Sequence, residues 1–156
     1  KIDCEAVGGY TLRCDHSLTT SSTETLTCSA AGLSCGDTIT EDTNLSSNLS
    51  GCNGDGLIVG AEDITLDCKG YSIDGDGSGT DYGITIDARN NITIRNCGIS
   101  DFNYGIYILD ALSENTTFLN NNLTSNTGGA ILHEDGSPGN IVIYNNRTII
   151  TGTNLY

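Results

Sequence analysis

Tyr82-Gly83-Ile84-Thr85-Ile86 is answered by Tyr104-Gly105-Ile106-Tyr107-Ile108 and, more loosely, by Gly128-Gly129-Ala130-Ile131-Leu132. A second phrase follows at matching distance: Ile64-Thr65-Leu66, Ile92-Thr93-Ile94, Thr116-Thr117-Phe118 and Ile141-Val142-Ile143. Self-similarity at a fixed period marks a solenoid, in which each coil buries its apolar face only by stacking on its neighbours. Every phrase alternates apolar and polar residues and closes in a turn of Asn, Asp and Gly, which is strand periodicity with turn chemistry. Apolar residues nowhere recur at helical spacing over a helix's length. The expectation is an all-β chain: a short parallel β-solenoid of about four to five coils.

Working outward, residues 1–34 have a different texture, rich in Ser and Thr with three Cys, and read as an extended N-terminal arm containing short strands such as Tyr10-Thr11-Leu12 and Thr25-Leu26-Thr27. The solenoid occupies residues 35–156. A partial coil runs through Ile39, Leu45 and Leu49 to Cys52, followed by coils at 56–81, 82–103, 104–127 and 128–156. Aligning the phrases puts Ile64, Ile92, Thr116 and Ile141 in one inward stack and Leu66, Ile94, Phe118 and Ile143 in the next. Leu57, Ile84, Ile106 and Ala130 form another, beside Val59, Ile86, Ile108 and Leu132.

The phrases Tyr82 to Ile86 and Asn91-Ile92-Thr93-Ile94-Arg95-Asn96, with Leu66-Asp67-Cys68-Lys69-Gly70-Tyr71-Ser72-Ile73, resemble the repeats of right-handed parallel β-helices of the pectate-lyase-like superfamily. The resemblance covers roughly residues 35–150 and implies the fold. It does not fix an activity, because one architecture hosts many functions. Superfamily members that cut acidic polysaccharides use closely placed Asp residues with a His-Gly signature, or a Lys/Arg base beside calcium-binding carboxylates. Here His133 is followed by Glu134 and His16 lies in the arm. The available bases are Lys1, Lys69, Arg13, Arg89, Arg95 and Arg147. Asp67 and Arg95 fall at the same position in neighbouring coils and read as a cross-coil ion pair. No catalytic residue is assigned.

Charge narrows the partners. The 6 basic and 20 acidic residues leave a net charge of −14, which repels nucleic acid and anionic membranes. No apolar run approaches the roughly 20 residues of a spanning helix, and a sequence starting at Lys1 without Met reads as processed. Asn-x-Ser/Thr sequons at Asn44, Asn48, Asn91, Asn115, Asn122 and Asn146 suggest an exported glycoprotein bearing N-linked glycans. Cys4, Cys14, Cys28, Cys35, Cys52, Cys68 and Cys97 lack zinc-site spacing and read as disulfides of an oxidising compartment. Cys35–Cys52 and Cys68–Cys97 are the favoured pairs; the other three leave one Cys over.

Other polar ranks invite chemistry. Asp74, Asp76, Ser78 and Thr80 match the opening of a calcium loop, although its twelfth position is Thr85 rather than Glu, so calcium is a weak expectation and no other cofactor is implied. Thr65, Thr93 and Thr117 form an outward rank ending at Val142. Asn96, Asn120 and Asn145 align as a turn ladder, and Tyr82 is expected to stack on Tyr104. With no cap evident before Cys35 or after Thr148-Ile149-Ile150-Thr151, the coil ends read as adhesive. The functional expectation is a self-assembling extracellular structural protein of a filament, sheath or surface layer. The alternatives are a polysaccharide lyase or sugar-binding module and a calcium-dependent adhesin.

Overall fold

The computed structural model describes residues 12–15, 27–30, 32–109, 115–133 and 142–144. Cys4, Asn145 and Asn146 lie outside them. Two compact units meet in the chain between Gly32 and Leu33. In the first, β1 (Leu12–Asp15) and β2 (Thr27–Ala30) pair antiparallel, with Cys14 opposite Cys28.

The second unit is a parallel β-solenoid whose coils each contribute one strand to three sheets. The first coil holds β3 (Asp37–Ile39), β4 (Thr43–Asn44) and β5 (Leu49–Cys52); the second β6 (Leu57–Val59), β7 (Thr65–Asp67) and β8 (Ser72–Gly75). The third holds β9 (Tyr82–Asp87), β10 (Thr93–Arg95) and β11 (Gly98–Ser100), and the fourth β12 (Tyr104–Leu109), β13 (Thr117–Leu119) and β14 (Asn122–Thr124). Strands β15 (Gly129–His133) and β16 (Val142–Tyr144) follow. The sheets run β3-β6-β9-β12-β15, β4-β7-β10-β13-β16 and β5-β8-β11-β14.

Period-two alternation explains both the strands and their burial. In β6, Leu57 and Val59 are buried and the intervening Ile58 is half-buried; β10 repeats this with Ile94 buried between Thr93 and Arg95. Thr65, Thr93, Thr117 and Val142 lie in one register, as do Leu66, Ile94, Phe118 and Ile143. Leu66, Ile84, Ile86, Ile92, Ile94, Ile106 and Ile108 have no measurable exposure. The turns recur as regularly. Asp63, Asn91 and Asn115 share φ of 58°, 57° and 56°, and Lys69, Asn96 and Asn120 share 53°, 56° and 54°. Asn and Asp tolerate this left-handed conformation better than other side chains, so the turn residues and the coil period reinforce each other.

One alignment differs by a residue. Ile131, not Ala130, stands opposite Ile106, and His133, not Leu132, stands opposite Ile108. Gly128 is absorbed into the turn: its N–H and that of Gly129 both donate to the Asn103 carbonyl, at 2.7 and 3.2 Å. Ala130 is thereby left at the Gly105 position, where the coils approach too closely for a large side chain; a Cβ on Gly105 would lie 2.8 Å from the Ala130 carbonyl oxygen. A slip of one residue exchanges the two faces of a strand, so Leu132 moves into the outward row with Tyr107.

Candidate functional site

Asp67 ends β7 with its side chain only 4 % exposed, and two cations converge on it. Lys69 Nζ lies 2.7 Å and Arg95 Nε 3.0 Å from Oδ2. Oδ1 accepts the Lys69 backbone N–H and the Asn96 side-chain amide, both at 2.9 Å. Burial alone would raise the carboxyl's pKa, but the Asn96 amide and the Lys69 ammonium and N–H outweigh it and hold the group well below its ordinary range. The register Asp67↔Arg95 makes the expected cross-coil pair, and the left-handed turn at Lys69 adds the second cation. Such an array holds a carboxylate in its charged form and clamps the equivalent corners of two neighbouring coils; its cations are already committed to Asp67.

The acidic segment that leaves β8 is arranged differently from a calcium loop. Asp74 Oδ1 accepts the Ser100 hydroxyl of the next coil at 2.6 Å, and Asp76 Oδ1 accepts both the Ser78 N–H and hydroxyl at 2.8 Å. Those Ser78 bonds hold the exposed Asp76 carboxyl below its usual pKa. Ser78 and Thr80 are exposed. Among the described residues no three His, Cys, Asp or Glu groups are disposed to hold a metal.

The sequon asparagines Asn44, Asn48, Asn91, Asn115 and Asn122 are all exposed. Asn44 lies in β4 and Asn122 in β14, Asn48 immediately precedes β5, and Asn91 and Asn115 occupy equivalent turns before β10 and β13. Asn91 Nδ2 donates to Asp63 Oδ1 at 2.7 Å and Asn48 Oδ1 accepts the Ser72 N–H at 3.0 Å. The aromatic pairing differs from expectation: the partner lies three residues further along β12. Tyr82 stacks on Tyr107, centroids 4.1 Å apart and planes at 16°, while Tyr104 lies tilted at 6.5 Å.

Disulfides join Cys35 to Cys52 and Cys68 to Cys97, as their spacing around the coils suggests. The polar ladder involves other residues than expected. Asn96 turns to Asp67, whereas the buried amides are Asn121 and Asn126. Each accepts a backbone N–H of the preceding coil, from Cys97 and Phe102, and donates to a carbonyl there, of Ile94 and Ile99. Asp55 caps another corner, accepting the Tyr82 N–H and the Thr85 hydroxyl. The run Asn120-Asn121-Asn122 was the available signal; which amide enters the corner depends on coil geometry.

The sequence profile of the right-handed β-helix region matches residues 7–148. The chain belongs to the right-handed β-helix family. No curated protein and no solved structure matches the chain. The disulfides of this β-helix fit an oxidising, extracellular setting. No helix among its described residues is long and apolar enough to cross a membrane.

Proposed function

We propose that this β-helix is an exported, glycosylated structural protein that assembles with copies of itself into an extracellular filament, sheath or surface layer. The observation that carries the reading is the placement of the sequons: all five described sequon asparagines are exposed, on a scaffold in which one disulfide closes the first coil and another links the second coil to the third. Glycans there would keep the outer faces soluble, while the stacked coils supply rigidity. Self-association is supported by the sheet ends. Among the described residues, β3, β4 and β5 at one end and β14, β15 and β16 at the other have a hydrogen-bonded strand on one side only. Repetition of such a contact gives an open filament when it does not close.

The test is to express the full chain through a secretory pathway and measure its glycan mass and its size with and without reductant. Higher-order species and occupied sequons are expected. A chain that is monomeric at every concentration and free of glycan would overturn the reading.

A further inference from the structure

Asn53-Gly54 is the one place in the chain where Asn precedes Gly, and it lies in the bend between β5 and β6, where the first coil passes into the second. Asn53 is exposed, and Asp55 stands where a sequon would need Ser or Thr. Nothing lies within 4 Å of a Cβ built on Gly54. Among the described residues, neither the Asn53 side chain nor the Gly54 N–H is engaged in a hydrogen bond. The neighbours on either side are fixed. Cys52 is bonded to Cys35, and Asp55 accepts the Tyr82 N–H at 2.9 Å and the Thr85 hydroxyl at 3.0 Å.

We propose that Asn53 is a site of spontaneous deamidation through a cyclic imide, an inference independent of the self-assembly reading. The Gly54 nitrogen gives its proton to hydroxide and bonds to Asn53 Cγ; the Cγ–Nδ2 bond breaks, and the amide nitrogen takes up a proton from solvent and leaves as ammonia. Water then opens the imide. Addition at Cγ leaves an aspartate side chain on the original main chain, whereas addition at the Asn53 main-chain carbonyl gives isoaspartate, in which the chain runs through Cβ and Cγ. The sum is one water taken up and one ammonia released, with no change of oxidation state. Ring closure needs the following nitrogen to reach the side-chain carbon, which a Cβ on the next residue hinders and the conformational freedom of Gly permits. Each event adds a negative charge beside Asp55, and isoaspartate lengthens the link between the Cys35–Cys52 bridge and the Asp55 cap by one methylene.

The fold protects the comparable Asp-Gly steps, where a carboxyl would take the place of the amide. At Asp55-Gly56 both carboxylate oxygens are bonded to the next coil and the Gly56 N–H donates to the Tyr82 carbonyl at 2.8 Å. At Asp74-Gly75 the Asp74 carboxylate accepts the Ser100 hydroxyl at 2.6 Å, and Gly75 is buried in β8. At Asp76-Gly77 the carboxylate accepts the Ser78 N–H and hydroxyl, and the Gly77 N–H donates to the Asp101 carbonyl at 3.0 Å. In each case a bond or a packed strand must give way before the ring can close. Asn53-Gly54 carries no such restraint. Asp135-Gly136 lies outside the described residues.

The experiment incubates the folded, disulfide-bonded full-length chain for weeks at neutral and mildly alkaline pH. Samples are digested and mapped by mass spectrometry, and isoaspartate is scored with an isoaspartyl methyltransferase. A synthetic peptide spanning residues 50–57, with its Cys alkylated, supplies the unrestrained rate. Expected is aspartate and isoaspartate accumulating at position 53 ahead of Asp55, Asp74 and Asp76, and faster at the higher pH. Gly54→Ala, shown to be folded by thermal melting, is expected to slow the conversion at least about tenfold. Asn53 remaining intact in the folded chain while the peptide converts would overturn the proposal. Conversion at an undiminished rate in Gly54→Ala would mean direct hydrolysis of the amide and overturn the imide route. Isoaspartate forming first at Asp55, Asp74 or Asp76 of the folded chain would overturn the assignment to Asn53.

Discussion

Asn121 continues, in side-chain chemistry, the corner that Cys97 occupies one coil earlier. Its Oδ1 accepts the Cys97 N–H at 3.0 Å and its Nδ2 donates to the Ile94 carbonyl at 2.8 Å, in a residue only 1 % exposed. Cys97 is tied back to Cys68 by a disulfide, so one corner is held by a covalent link and then by an amide.

Asn121→Ala removes both bonds and leaves a buried N–H and carbonyl with no replacement. A buried group left unsatisfied costs about 1–3 kcal/mol. The expected result is a loss of that size in denaturant unfolding, with Asn126→Ala behaving alike because its amide serves Phe102 and Ile99 in the same manner. Unchanged stability in both variants would show that water satisfies these corners.

Thr116 presents the opposite case. It is fully buried in the inward column, and its hydroxyl has no hydrogen-bond partner. Val has nearly the same shape without the hydroxyl, so Thr116→Val is expected to stabilise the fold by about 1 kcal/mol. The Asn115 sequon survives the change, since its middle position accepts Val. A higher midpoint with an unchanged denaturant slope is the outcome to look for.

The sequence made the repeats, the inward stacks of β6 to β13, the Asp67–Arg95 pairing and two disulfides legible, because each depends on spacing along the chain. The β15 register was less so: Gly128-Gly129 offers two alignments, and only the turn's bonds to Asn103 choose between them. Asn121 and Lys69 escaped for a related reason. Their roles depend on how a left-handed corner turns a side chain inward or back, which composition does not encode. The sequon positions were legible as candidates, whereas the absence of any described one from a whole sheet required the topology.

Asp67 predicts the shape of the acid limb. Burial would raise its folded-state pKa, but the hydrogen bonds of Asn96 and Lys69 and the Lys69 charge favour the carboxylate and keep the value below the ordinary 3.8. The unfolded chain therefore binds the proton first as pH falls. The stabilisation is fully present above the unfolded value and is lost as pH drops through the depressed folded value. In melts from neutral pH to below about 3, Asp67→Asn is expected to lower the midpoint at neutral pH and to flatten the acid decline relative to wild type. Parallel acid limbs would assign the decline to other carboxylates.

Gly83 sets how closely the coils stack. A Cβ there would lie 2.3 Å from Ile99 Cγ2 and 2.5 Å from the Gly105 carbonyl oxygen. The side chain can rotate away, but the carbonyl belongs to the next coil's backbone and cannot move without disturbing the β9–β12 ladder. Gly83→Ala is expected to cost about 3 kcal/mol, toward the upper part of the overpacking range. Gly54 is the control: nothing lies within 4 Å of a Cβ built there. Gly54→Ala should leave stability within about 0.5 kcal/mol of wild type. Equal effects at the two positions would mean that coil spacing is set by the side-chain stacks rather than by the glycine contact, whereas a loss confined to Gly83 would locate the control in backbone approach.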